Sequence, residues 1–445
     1  MKKTLNVLSI IVERYYPDAF VFAILMSILA LVMAFLLTDS SGTEIVIAWG
    51  DGLPALMAFT AQLSITLLAA HALAHTDAMQ RGLRAVGNLP QSATAAYMLV
   101  VFGASMGSLI AWSLGLVVGA TLAREVAIQC ARKNIVVHFP LLVASAYAGF
   151  VVWHMGYSAS APLFVATPGH TLEDVMGVVA ITDTVFTWQN LAIIVTTVSA
   201  LLIVCPLMQP SQDKCLQIDV DKLDQEPSTD PEIETMTIAE RIENSRALTL
   251  MLGLALVIYI FVSFYQKGFF LNLDIVNWSL VGFGLLLARS PVHYVHLIYK
   301  AGSAVAAIII QYPFYAGMLG IMTGTGLVQV MSGWFVEHAS SSTLALYAFL
   351  SAGIVNLFIP SGGGQWAVQG PVFIDAANQL GVAPELIVMA IAYGDQWSNM
   401  IQPFWTIPLL AIAGLHVRQI MGHTVIIFLL TAVIFAGGIY LWGLG

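Results

Sequence analysis

The sequence predicts an all-α polytopic membrane protein: about nine transmembrane helices and two re-entrant hairpins, arranged as two inverted-topology repeats. Three observations predict it. Apolar residues make up 59% of the 445 and charged residues only 9%, against roughly 25% charged in a typical soluble domain, so the chain cannot cover itself with a water-facing surface. Nine apolar runs approach or exceed the ~20 residues a helix needs to cross a hydrocarbon core about 30 Å thick. Two further apolar stretches are too long for one span and are interrupted by small residues. The mean hydropathy of +0.86 agrees. This composition excludes a soluble enzyme and a disordered chain. With 16 Lys+Arg against 25 Asp+Glu and a net charge of -9, no basic face remains for a nucleic-acid partner. Cys130, Cys205 and Cys215 are too few and too scattered for a disulfide framework or a CxxC metal site.

In chain order, the runs are Ala19 to Leu37, Leu53 to Ala74, Pro140 to Ala166, Asn190 to Met208, Ala247 to Tyr265, Ile275 to Ala288 (extending upstream to Leu271), Ala301 to Met331, Pro384 to Leu415, and Thr424 to Trp442. Met1 to Asp18 is too short and polar for a signal peptide and reads as an interfacial helix. The two long stretches are Thr94 to Ala123 and Thr343 to Ala377. Arg81 and Arg84 precede the first, and Arg124, Arg132 and Lys133 follow it. The positive-inside bias therefore puts both of its ends on one side, which makes it a re-entrant hairpin. Irregular backbone at membrane depth is tolerated only against protein or a wet cavity, so such hairpins are functional candidates. With the N-terminus cytoplasmic, every Lys and Arg except Lys267 falls inside.

The domain reading follows. Residues 1–208 form a first membrane repeat with hairpin 94–123, and 209–246 an acidic cytoplasmic linker. Residues 247–445 form a second repeat with hairpin 343–377. The linker holds ten acids against four bases, with Pro227 and Pro231, as a solvated connector does. At an offset of 250 residues Gly52 pairs with Gly302, Ser92 with Ser342, Ala95 with Ala345, Tyr97 with Tyr347, Gly103 with Gly353 and Glu125 with Asp375. Each half reads span, span, hairpin, span broken by polar residues, span. The helix Ala247 to Tyr265 reverses the second half, so its hairpin enters from outside. Inverted repeats with discontinuous helices are the architecture of secondary transporters.

The polar residues at membrane depth define the candidate site. The second hairpin turns at Pro360–Trp366, through Ser361, Gly362, Gly363, Gly364 and Gln365. The first turns at about Ile110 to Gly115, through Trp112 and Ser113. Glycines let a ligand approach the backbone, and the following helix presents unpaired N–H groups at the positive end of its dipole. Together they make an anion site without Lys or Arg. The span after the second hairpin carries Asp395, Asn399 and Gln402, then Pro403, which favours a break that frees carbonyls. A mid-membrane carboxylate costs at least ~2.5 kcal/mol on insertion scales, so Asp395 is a functional candidate. It would hold a proton or a sodium ion. The counterpart stretch in the first half, His154 to Pro162, offers Ser158 and Ser160. No cofactor or metal beyond that coupling ion is called for. Gly103 to Gly107 fits GxSxG but lacks the strand, turn and helix of a nucleophile elbow. His71 and His75 at i, i+4 lack the acidic helper of HExxH and read as side chains snorkelling at a helix end.

Ala367 to Pro371 after the glycine turn, and Tyr393 to Pro403, resemble the bacterial short-chain fatty acid transporter family. Further family-like stretches are Trp49 to Gly52, Gly115 to Ala120 and Ala166 to Gly169. The resemblance covers essentially the whole chain. That family is similar to members of the ion transporter superfamily. The resemblance therefore implies an elevator-type transporter fold, a homodimer, and uptake of small monocarboxylates such as butyrate or acetoacetate across the bacterial inner membrane. Two residues depart from the family pattern: His170 stands where Asn is expected, and His154 where a small residue is. The resulting expectation is a secondary active transporter, with Ser361 to Gln365 and Trp112 to Gly115 holding the carboxylate and Asp395 holding the coupling ion. A carrier of another organic anion such as a dicarboxylate, an anion channel and an intramembrane hydrolase are the alternatives. A dicarboxylate would want a second polar anchor, and the Trp, Phe and Met near the hairpins suit a short apolar tail better.

Overall fold

The computed structural model of the chain describes residues 16–218, 237–268 and 273–444. Most of the expected N-terminal interfacial helix and the linker segment 219–236 lie outside the described residues. The described residues are helical or irregular, with no strand. Among the described residues, eight helices are long and apolar enough to cross a membrane by length and composition, or nine if one bent pair counts as a span. That total hides a different membership. Two of the eight, Ala93–Ile110 and Trp112–Arg132, are the arms of the first expected hairpin.

Local chemistry sets many of the boundaries. Asp18 caps Ala19–Leu37 by accepting from the Phe20 N–H, and Ser41 forms a capping box with Glu44. Both devices satisfy amides that a helix start leaves unpaired. Pro291 and Pro384 stand in the first turns of their helices, where a missing N–H costs nothing. The first hairpin reverses at a single extended residue, Ala111 (φ -153°, ψ 138°). The second arm, Trp112–Arg132, reaches 21 residues because it continues past its apolar stretch into the polar end at Arg124, Glu125 and Arg132. The apolar stretch from Trp112 to Ala123 rises only about 18 Å.

Four expectations need correction. The run Leu53 to Ala74 is preceded by a helix, Gly42–Gly52, which packs against the long helix Pro291–Gly324. Gly52 and Gly320 make that approach possible, since a Cβ on Gly52 would stand 2.7 Å from the Gly320 Cα. The run Ala301 to Met331 is not one straight helix. Its helix starts at Pro291, ends at Gly324 and turns by 62° into Leu327–Glu337. Gly326 occupies the left-handed region there (φ +72°), a conformation that costs glycine little. The run Pro384 to Leu415 is two helices, Pro384–Ser398 and Thr406–Ala413, separated by a short 3-10 turn and irregular backbone. This last break is the one Pro403 announces. Leu273–Leu287, at 15 residues, falls short of a full span.

The first broken helix, Phe139–Gly149, continues as a 3-10 turn Phe150–Met155 and resumes at Ser160–Val165. The second hairpin comprises Leu344–Val355 and Gly362–Leu380. Both hairpins pack against these broken helices, so the interruptions collect in the interior. The outer helices Ala19–Leu37 and Arg246–Lys267 carry the exposed apolar side chains, Phe35 and Phe261 among them, as a lipid-facing surface requires.

Candidate functional site

Four interruptions meet at one place: the Ala111 reversal, the Gly156 to Ala159 break, the break before Gly362, and the break from Asn399 to Trp405. Gly156 lets two of them touch, because a Cβ there would stand 2.3 Å from the Leu109 carbonyl oxygen. The Tyr157 N–H donates to that same oxygen at 2.7 Å. The Trp112 N–H donates to Ser158 Oγ at 3.2 Å, and Trp153 Nε1 donates to the Ser158 carbonyl at 3.1 Å. Ser158 thus ties the first hairpin tip to the first broken helix.

Between these tips lies a cavity of about 80 Å3, walled by Phe59, Trp112, Trp153, Phe404 and Trp405, with Leu56 beside them. The rings form a continuous surface: Trp405 stands 5.1 Å from both Trp112 and Trp153 between centroids. Phe59 stands 6.0 Å from Trp112 and 6.1 Å from Trp405. The rest of the lining is Ser160, Pro360, Ser361, Gly362 and Gly363. The buried Trp405 Nε1 has no hydrogen-bond partner in the protein.

The glycine run is not an irregular turn. Gly362, Gly363 and Gly364 are the first turn of Gly362–Leu380, and Ser361 is its N-cap, accepting from the Gly364 N–H at 3.4 Å. Their helical state strengthens the anion reading, since the first N–H groups of a helix have no carbonyl within it. A Cβ on Gly363 would meet no atom within 4 Å, so this position faces open space. Gln365 turns away from the cavity. Its amide donates to the Ala352 carbonyl and to Gln369, both at 2.9 Å, clasping the two hairpin arms. Gly115 also serves packing, because a Cβ there would stand 1.9 Å from Ser108 Oγ on the facing arm. Ser113 is buried with its hydroxyl unpartnered, and neither it nor Gly115 is among the cavity-lining residues.

Asp395 is 1% exposed. Its Oδ1 accepts from Asn399 Nδ2 at 3.3 Å and stands 3.6 Å from His154 Nε2, while Oδ2 has no partner. Asn356, absent from the sequence reading, is the hub of the second break. Its amide hydrogens are shared among the Asp395 carbonyl at 2.7 Å, Ser398 Oγ at 2.9 Å and Asn399 Oδ1 at 2.7 Å. The Asn356 carbonyl accepts from Gln402 Nε2 at 2.9 Å. Tyr147 donates to the Asn399 carbonyl at 2.7 Å and Tyr312 to the Phe404 carbonyl at 3.2 Å. The carbonyls freed by the break are therefore largely claimed by tyrosines and amides.

The structure thus brings Trp112, Ser160, Ser361, Gly362 and Gly363 to the cavity, and Asp395, Asn399 and Gln402 to a buried polar network beside it. His170 lies apart, accepting from the Leu172 N–H and contacting the Gly177 carbonyl. His71 stacks on His75 with ring centroids 4.0 Å apart, and its buried Nε2 has no hydrogen-bond partner. Ser105 of the GxSxG match is buried inside a continuous helix. Among the described residues no three His, Cys, Asp or Glu side chains stand together as a metal site.

The family model described as short chain fatty acid transporter matches residues 1–442. A provisionally named short-chain fatty acid transporter of Escherichia coli K12 is 38% identical over 434 residues, 97% of each chain. One from Haemophilus influenzae Rd is 35% identical over 437 residues, covering 96% of this chain and 97% of the relative. The crystal structure of the Alcanivorax borkumensis YdaH transporter aligns over 96% of this chain and 98% of its own at 16% identity. Its TM-score of 0.45 is too slight to carry fold or function across.

Proposed function

The chain belongs to the short-chain fatty acid transporter family, and from that premise we propose a secondary active transporter of small monocarboxylates such as butyrate or acetoacetate. It would work in the bacterial inner membrane, coupled to a proton or sodium gradient. One observation carries the reading: a glycine helix start, with free N–H groups and open space at Gly363, faces a small aromatic cavity. The helix start suits a carboxylate, and the rings suit an apolar tail. No Lys or Arg is buried among the described residues, so neutral donors must hold the anion. A cavity of about 80 Å3 favours a chain of a few carbons over a long acyl tail.

The element boundaries support two repeats. Ala74 and Gly324 end their helices, Asp77 and Leu327 start theirs, Gly87 and Glu337 end those, and Trp112 and Gly362 start the second hairpin arms. Each pair is 250 residues apart. Arg246–Lys267, between the acidic linker and the second half, reverses the direction of the chain, which supports an inverted second half, and discontinuous helices around a central site are the corresponding transporter design. An elevator-type movement of hairpins and broken helices against the outer helices, and assembly as a homodimer, belong to the same proposal.

The test is competition. Uptake of labelled butyrate into proteoliposomes should saturate and be inhibited by propionate and valerate, with succinate far weaker. Equal inhibition by succinate would favour the dicarboxylate reading, and uptake that never saturates would favour a channel.

A further inference from the structure

The surroundings of Asp395 decide between the two coupling ions. Asn399 Oδ1 accepts from Asn356, which obliges the other end of that amide, an NH2 donor, to face the carboxylate at 3.3 Å. The second neighbour of the same oxygen is His154 Nε2 at 3.6 Å. Both neighbours are nitrogens, one of them a certain donor. A hard cation instead wants converging oxygens. Neither ring nitrogen of His154 has a hydrogen-bond partner, and the ring is fully buried.

The ring also touches the anion site. A Cβ on Gly362 would stand 2.3 Å from His154 Cε1 and 3.1 Å from Ser160 Cβ. His154 is therefore wedged between the Asp395 carboxylate and the helix start that faces the cavity.

Other charges stand clear of this pair. On elements packed against Pro384–Ser398, Asp375 and Arg418 are exposed, His423 pairs with the His138 ring, and Tyr393 donates to Asn190. Glu385 lies in the first turn of that helix, about 15 Å of helical rise from Asp395. On elements packed against the 3-10 turn, the Tyr97 hydroxyl oxygen accepts from the His138 N–H and Tyr147 donates to the Asn399 carbonyl. Arg124, Glu125 and Arg132 begin about 18 Å of helical rise beyond Trp112.

We propose that His154 and Asp395 form a two-base proton cradle, so that the coupling ion is a proton; this rests on the carboxylate-carrier reading above. In the empty carrier the pair holds one proton and is neutral, whichever base carries it. A second proton from the outer solution gives the pair a single positive charge beside Gly362, offset by the substrate carboxylate. Proton and anion then leave together on the inner side. A positive pair without its anion is costly at membrane depth, and the same holds for an anion without the second proton, so the two ligands bind together.

The experiment uses full-length protein in proteoliposomes at neutral to mildly alkaline pH, with labelled acetoacetate as probe and protein-free vesicles subtracted. Wild type should accumulate the probe under an imposed inward proton gradient, and not under an inward sodium gradient at equal pH. His154→Gln should lose about tenfold or more of that accumulation while equilibrium counterflow falls only a few-fold. Sodium-driven, proton-indifferent accumulation by wild type overturns the cradle and leaves the carrier reading standing, whatever any variant does. Undiminished proton-driven accumulation by His154→Gln overturns it too. Absence of wild-type counterflow would instead sink the carrier reading itself.

Discussion

Gly362 and Gly363 are adjacent, yet each is glycine for a different reason. At Gly363 an added side chain meets nothing, so Gly363→Val should fold and sit in the membrane normally. It should also put two methyl groups where the carboxylate would lie. Uptake should fall about tenfold or more with an unchanged elution profile; wild-type transport by this variant would remove that helix start from the site. At Gly362 the Cβ collides with the buried His154 ring, so Gly362→Ala should also lower the melting temperature, because overpacking typically costs about 1–3 kcal/mol. The sequence could announce Asp395 and the glycine run, since each is anomalous at membrane depth. It could not announce the partners. Phe59 and Trp405 look like any aromatics in apolar runs, Asn356 acquires a role only when separate breaks meet in space, and His154, marked in the sequence only as a departure from the family pattern, finds its partners the same way.

At the scale of elements, the breaks are held open by specific polar contacts. The Asn356 amide reaches three acceptors on the second broken helix. Buried polar contacts in membranes average about 0.6 kcal/mol each, so Asn356→Leu should destabilise by about 2 kcal/mol. Thermal unfolding in detergent would show it, and an unchanged midpoint would mean the hub is not structural. Gly156→Val should be worse, because its Cβ would strike the Leu109 carbonyl backbone and part the first hairpin from the first broken helix. Hydropathy marked Ala19–Leu37 to the residue, because that helix is uniformly apolar and capped by Asp18. It missed the 62° bend after Gly324. An apolar run looks the same straight or bent, and only the Gly324, Thr325, Gly326 triplet hinted at the turn.

At the scale of the whole molecule, orientation is an expectation drawn from charge, with all basic residues but Lys267 placed inside. A cysteine introduced near Gln212 should be protected from an impermeant thiol reagent in intact cells, and one near Ser340 should be labelled. The opposite pattern would invert the topology. If the cavity between the hairpin tips carries a short-chain carboxylate across the membrane by alternating exposure, wild-type protein should catalyse counterflow. Proteoliposomes loaded with unlabelled butyrate and diluted into a trace of labelled butyrate should show a transient overshoot of label above equilibrium. Protein-free vesicles and Gly363→Val vesicles should not. Monotonic entry without overshoot in wild type would rule out carriage by alternating exposure, and an equal overshoot with Gly363→Val would remove this cavity from the path.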